Sequence, residues 1–162
     1  MTEGSDVYAD FVKSLLDAEE SRKSSLEQRG IGIITTSGTL VTLLFGLIAV
    51  ITSAKSFAFP AAARGWITLA AIFFVVAAAA GIVVNAPLFY GRIEVSQADL
   101  KPAWQDDAPT ARSAVTGVRL KRLRAAQSVN GFKAGTLVVG TVLELAATAM
   151  LTAGIFDIIH PH

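Results

Sequence analysis

Three long stretches of this chain are almost free of charge, and the sequence around them is not. Ile31 to Ser53, Trp66 to Val84 and Ala134 to Ile159 hold one Asp and one Glu between them and no Lys or Arg. A helix needs roughly 20 apolar residues to cross a hydrocarbon core about 30 Å thick, and each run meets that length. A soluble domain spreads its apolar residues periodically, whereas here they are blocked. The pattern predicts an all-α integral membrane protein with three transmembrane helices.

The polar segments carry helical signals of their own. From Asp6 to Gln28, Tyr8, Phe11, Val12, Leu15, Leu16 and Leu26 recur near helical spacing, while Asp10, Lys13, Asp17, Glu20 and Arg22 fill the other side. Residues 1–29 therefore predict an amphipathic helix, with Asp6 as a candidate cap. Residues 30–90 predict a transmembrane hairpin, with spans at about 31–53 and 66–84. Its turn is short, and Phe57, Phe59 and Trp66 supply an aromatic anchor. Asn85 and Pro87 end the second span. Residues 91–133 predict a loop followed by a basic helix from Thr110 to Val129. Asp107 or Thr110 could cap that helix, and Val115, Val118, Leu123 and Ala126 are its expected inner face. Residues 134–162 predict the third span and a short tail.

Charge then orients the chain. Lys13, Arg22, Lys23 and Arg29 precede the first span, and eight further bases lie between spans two and three. Only Lys55 and Arg64 fall in the short turn. A cytoplasmic N-terminus puts 12 bases inside and 2 outside, the arrangement that retention of positive charge favours. The C-terminus is then outside. The first 29 residues have no apolar core followed by a small-residue cleavage site, so the first span is expected to be retained rather than cleaved as a signal peptide. Mean hydropathy is +0.54, and charged residues make up 17% of the chain against about 25% in ordinary soluble domains.

Two spans carry a polar face. In span one, Thr35, Thr39, Thr42, Gly46, Ala49 and Ser53 are spaced 4, 3, 4, 3, 4, a heptad seam of small residues that lets helices approach closely in lipid. Packing on another span, an oligomer seam and a pore wall all fit such a stripe. In span three, Thr141, Glu144, Thr148 and Thr152 share a face. A charged Glu144 in mid-span costs several kcal/mol unless it is paired, protonated or wetted. It is expected either to bond a neighbouring hydroxyl of span one or to line an aqueous path as a cation-attracting ring. Arg112, Arg119, Lys121, Arg122 and Arg124 make the basic helix a candidate contact for anionic lipid, at about 1 kcal/mol per base near the surface, or for an anionic partner. There is no nucleic-acid module around these charges, so nucleic acid is not expected as a partner.

The chain offers no catalytic constellation. It has no P-loop, no GxGxxG and no HExxH. It has no cysteine, hence no disulfide, thiolate nucleophile or zinc-thiolate site, and its two histidines lie at the far tail. No enzyme activity, metal or cofactor is expected.

Two strings carry a resemblance. Glu19 to Gly30, EESRKSSLEQRG, runs into the first span, and Arg119 to Gly135, RLKRLRAAQSVNGFKAG, runs into the third. With the order helix, span, turn, span, loop, basic helix, span, they resemble the small membrane effectors of bacterial anti-phage nucleotide signalling, the SLATT and Pycsar-type transmembrane domains. The resemblance implies a homo-oligomer in the bacterial inner membrane that perturbs or permeates it, with cytoplasmic helices that take a signal from a partner. The alternative expectation is a non-conducting scaffold or accessory subunit that docks a cytoplasmic partner or anionic lipid.

Overall fold

A computed structural model of the chain describes residues 3–53, 60–87 and 108–160. Over these residues it is helical: α1 is Glu3–Ser53, α2 is Ala61–Asn85 and α3 is Ala108–Ile159. All three are long and apolar enough to cross a membrane. The polar N-terminal helix and the first apolar run are one helix, α1. The basic helix and the third apolar run are likewise one helix, α3. No proline interrupts α1, and the one proline of α3, Pro109, lies in its first turn, where a backbone N–H has no helical partner to lose. α2 stops at Asn85 because Pro87 follows; the Ala86 N–H closes the last turn on the Ile82 and Val83 carbonyls at 2.9 and 3.3 Å.

Some sequence expectations change here. Asp6 is not a cap: it lies inside α1, and its carboxylate pairs with Arg112. Val115 is not inward, being 39% exposed, and its neighbour Thr116 takes the buried position. One residue turns a helix by about 100°, so a one-residue phase error moves a side chain off the seam. Asp107, Phe57 and Phe59, and the expected loop at 91–107, lie outside the described residues.

The chain divides into two compact units, Met1–Leu26 with Pro87–Phe132, and Glu27–Ala86 with Lys133–His162. Among its described residues, the first unit is a parallel helix pair. Ala9, Val12, Leu16, Glu19, Lys23 and Leu26 of α1 are buried or half-buried at steps of 3 and 4, as are Thr116, Arg119, Leu123, Ala126 and Asn130 of α3. This is a heptad seam, the spacing of left-handed paired helices. Asn130 is 2% exposed, and its Nδ2 donates to the Glu19 carbonyl at 2.9 Å and to Glu19 Oε2 at 2.8 Å. A buried Asn in a seam fixes register at some cost in stability.

The second unit has three helices. On α1 the inward positions are Gly30, Ile33, Ser37, Leu40 and Leu44, and on α3 they are Lys133, Leu137, Gly140, Glu144, Ala147, Leu151 and Gly154. α2 runs antiparallel to both and buries Ala63, Ile67, Ala70, Phe74, Ala77, Gly81 and Val84, also at alternating steps of 4 and 3. Ala70, Phe74 and Ala147 form the centre, with Leu40, Val41, Phe73, Met150 and Leu151 packed around them. α1 and α2 cross at two glycines. A Cβ on Gly81 would stand 2.7 Å from the Gly30 carbonyl oxygen and 2.8 Å from Ile34 Cγ1, so the two backbones touch there. The outer surface of this unit is apolar: Leu43, Phe45, Val50, Val138 and Leu145 are all more than 60% exposed. Such a surface on a folded unit marks an interaction with lipid or protein.

Candidate functional site

Two ionisable groups of the second unit, Lys133 and Glu144, lie on the α1–α3 seam. At one end, Lys133 is 1% exposed and its Nζ donates to Glu27 Oε1 at 2.6 Å. The pair is tight because the four-carbon stem of Lys133 lies inside the seam while its head reaches the partly exposed Glu27. Further along, the fully buried Ser37 donates its Oγ–H to Glu144 Oε1 at 3.3 Å. The expectation of a hydroxyl partner from span one is met by Ser37. Ser37 sits on the α1 seam four residues beyond Ile33, which is why it reaches α3.

Glu144 is only half-buried, because it also borders an open groove. That groove, about 470 Å³, runs between α1 and α3 and is lined by Arg29, Gly32 and Ile33 on one side and Leu137, Val138, Thr141, Val142 and Glu144 on the other. Arg29 stands roughly 12 Å along the helix from the Ser37 level, at 1.5 Å per residue. The groove thus has Arg29 at one end, Glu144 at the other and a mainly apolar lining between, with Thr141 in it.

The threonine stripes take different positions. Thr35, Thr39, Thr42 and Gly46 are all exposed. They lie two residues from the seam positions Ile33, Ser37, Leu40 and Leu44, which is about 200° around the helix. Packing of this stripe on another span of the same chain is therefore not what the structure contains. Thr141, Thr148 and Thr152 of α3 are also exposed, and Thr141 shares the groove with Glu144. The fold brings Thr141 and Glu144 together with Ser37 and does not bring the α1 stripe to them. Each threonine donates its hydroxyl to its own helix four residues back: Thr35 to Ile31, Thr39 to Thr35, Thr42 to Gly38, Thr141 to Leu137, Thr148 to Glu144 and Thr152 to Thr148, at 2.8 to 3.0 Å. Their donors are satisfied, and what they present outward is oxygen lone pairs.

The basic residues of α3 in the first unit are not one cluster. Arg112 is paired with Asp6. Arg112, Lys121 and Arg124 line a cavity of about 410 Å³ with Tyr8, Ser113 and Thr116. Arg119 lines a second one, about 500 Å³, with Asp6, Asp10 and Arg112. Arg122 is exposed. Among the described residues there is no group of three His, Cys, Asp or Glu side chains that could hold a metal.

The sequence pattern does not mark Ser37 as the partner of Glu144, and it marks Arg29 only as one of the bases before the first span. The signal that finds Ser37 is the second heptad of α1, Leu26, Gly30, Ile33, Ser37, Leu40, Leu44, which runs beside the more conspicuous threonine one. The fold and site define an all-helical chain with three helices able to cross a membrane and a half-buried acid on the seam between two of them. The chain matches no family model, no curated protein and no solved structure.

Proposed function

We propose that the protein is an oligomeric, channel-like or membrane-perturbing protein of the bacterial inner membrane, assembled or gated through its cytoplasmic helices. The N-terminus is cytoplasmic, the C-terminus is outside, and a cytoplasmic signalling partner supplies the trigger, as in the SLATT and Pycsar-type effectors that the sequence resembles. The observation that carries this reading is the exposure of the hydroxyl faces of α1 and α3, with Glu144 at the edge of one of them. In a bilayer, polar side chains face a neighbouring helix or water rather than lipid. Copies arranged with these faces inward would line a path with threonine oxygens and a ring of carboxylates, a surface suited to cations. The large apolar side chains on the remaining surface would meet lipid.

The first test is mass in detergent or nanodiscs, where a clean monomer removes the shared path. The second is conductance after reconstitution. Cation current in the wild type, with reduced cation selectivity in Glu144→Gln, is the expected result. An oligomer without current, or one whose selectivity ignores Glu144, leaves the second reading: a non-conducting scaffold whose basic helix docks anionic lipid or a partner. One observation favours that alternative, namely that Ser37 already bonds Glu144 within the chain.

A further inference from the structure

The first unit separates charge between its two helices. Over residues 6–26, α1 carries five acids and three bases, whereas residues 108–132 of α3 carry five bases and no acid. Two of these charges cancel within the chain, Asp6 against Arg112. Glu19 is held by Asn130 and lies 3.6 Å from Arg22. What remains on the outer edge of α1 is Asp10, Asp17 and Glu20, all exposed, with Lys13 the one base among them. Positions 10, 13, 17 and 20 follow one another at 3, 4 and 3, so they form a single stripe. On the outer edge of α3 stand Lys121 and Arg124, both exposed and one turn apart.

The two edges face different ways. Asp10 borders the groove shared with Arg119 on one side of the helix pair, and Lys121 and Arg124 border the groove with Tyr8 on the other. They also stand at matching heights. Asp10 and Asp17 fall between the Asp6 and Glu19 levels of α1, and Lys121 and Arg124 fall between the Arg112 and Asn130 levels of α3, which are those same two levels. A net-acidic stripe on α1, with Lys13 in it and Arg119 beside it, and a basic pair on the other side of the helix pair at the height of Asp10 and Asp17 together offer a head-to-tail contact. Such contacts close into rings or extend into filaments, unlike a two-fold dimer in which each patch meets itself.

We infer that the acidic edge of α1 in one copy, Asp10, Asp17 and Glu20, docks on the basic edge of α3 in the next, Lys121 and Arg124. The occupant of each edge is a second copy of this chain. This rests on the oligomer proposed above and adds its polarity and its contact residues. It also gives Lys121 and Arg124 a protein partner in place of the lipid that the sequence suggests. Exposed pairs of this kind contribute little singly, but a complementary stripe fixes partner and orientation and is screened by salt.

The test uses three full-length variants in the same detergent, with mass read by light scattering and helicity by circular dichroism. Asp10→Lys/Asp17→Lys/Glu20→Lys makes both edges basic, and Lys121→Glu/Arg124→Glu makes both edges acidic. Each alone is expected to lose the wild-type mass. Mixed in equal amounts, they are expected to recover it, and a chain carrying all five changes is expected to assemble by itself. Wild-type mass should also fall between 50 mM and 1 M salt. Retention of wild-type mass by both single-edge variants, or failure of both the mixture and the five-fold variant to recover it, overturns the inference. A monomeric wild type overturns the oligomer itself, so the two failures are distinct.

Discussion

The crossing of α1 and α2 at Gly30 and Gly81 can be tested by three alanine substitutions that differ only in what the added methyl meets. At Gly81 it would meet backbone, the Gly30 carbonyl oxygen at 2.7 Å, and Ile34 Cγ1 at 2.8 Å. The backbone cannot rotate away, so the helices must part, at the cost of about 1–3 kcal/mol typical of overpacking. Replacing glycine within a helix returns up to about 1 kcal/mol of propensity. The net expectation for Gly81→Ala is a loss of about 1–2 kcal/mol. At Gly30 the nearest atom is Asn85 Nδ2 at 2.6 Å, the end of a rotatable side chain, followed by Val84 Cγ1 at 3.1 Å and the Gly81 carbonyl oxygen at 3.2 Å. Moving the amide sacrifices its 3.0 Å bond to Gly81, worth about 0.5–1.5 kcal/mol. Gly30→Ala should therefore lose less, about 0–1 kcal/mol. At Gly32 nothing lies within 4 Å, so Gly32→Ala should be neutral or stabilising by up to about 1 kcal/mol. Equilibrium unfolding in mixed micelles measures all three. A Gly81→Ala protein as stable as wild type, or a Gly32→Ala protein that is the least stable of the three, would refute the crossing.

The remaining predictions concern the buried polar layers. Glu27→Ala strips the 1% exposed Lys133 ammonium of the carboxylate 2.6 Å away, whereas Lys133→Met leaves Glu27 30% exposed and able to reach water. Breaking a buried pair is worst when the charge left behind is the buried one. Glu27→Ala should thus lower stability by about 2–3 kcal/mol and Lys133→Met by less, in the same unfolding assay; the reverse order would be inconsistent with the geometry. Asn130→Ala removes both bonds to Glu19 and should cost about 1–2 kcal/mol. Amide exchange over residues 116–130 should then speed up by about 5- to 30-fold where it follows local opening; unchanged exchange would mean that the Asn130 layer contributes no stability there.

How much of this was legible beforehand depends on the kind of signal. The three apolar helices follow from charge-free length, which no packing detail can disguise. The junction into the first span was open: Gly30 and Gly32 fit either a bend or close helix contact, and α1 passes through both as helix while Gly30 makes the contact with α2. Glycine weakens a helix without ending it, and a helix supported along a seam tolerates it. The seam of α2 is invisible in polarity, because Ala63, Ala70, Ala77 and Gly81 belong to the same apolar class as the residues around them. Its heptad lies in side-chain size, not polarity. The threonine stripe was legible as a stripe but not in its direction, since packing on another span, an oligomer seam and a pore wall all fitted it. In lipid a hydroxyl can satisfy itself on its own helix, so polarity does not say which way a face points. Glu144 stood out because a mid-span acid is costly anywhere. Its partner Ser37 did not, since a serine among threonines carries no comparable cost.

The polar layers of the second unit also constrain how it can move. Lys133 and Glu144 lie on the same seam of α3, and the residues they meet on α1 are Glu27 and Ser37. If α3 slid by one heptad towards the C-terminal end of α1, about 10 Å at 1.5 Å per residue, Lys133 would oppose Ile34 and Glu144 would oppose Leu44. Slid the other way by the same amount, Glu144 would oppose Gly30. Each slip leaves a buried or half-buried charge without the partner it has now, at a cost of several kcal/mol per group. α2 carries no such layer: its buried positions are alanine, glycine, valine, isoleucine and phenylalanine, and it holds by shape alone. Any working motion of this unit should therefore preserve the α1–α3 register and be taken up by tilt or by α2. Spin labels at Leu43 and Leu145, 63% and 67% exposed, would report it. Their axial offset should change by less than about 2 Å between resting and active preparations, well short of the 1.5 Å × 7 rise of a heptad. A change near 10 Å would show that the polar layers do not hold the pair in place.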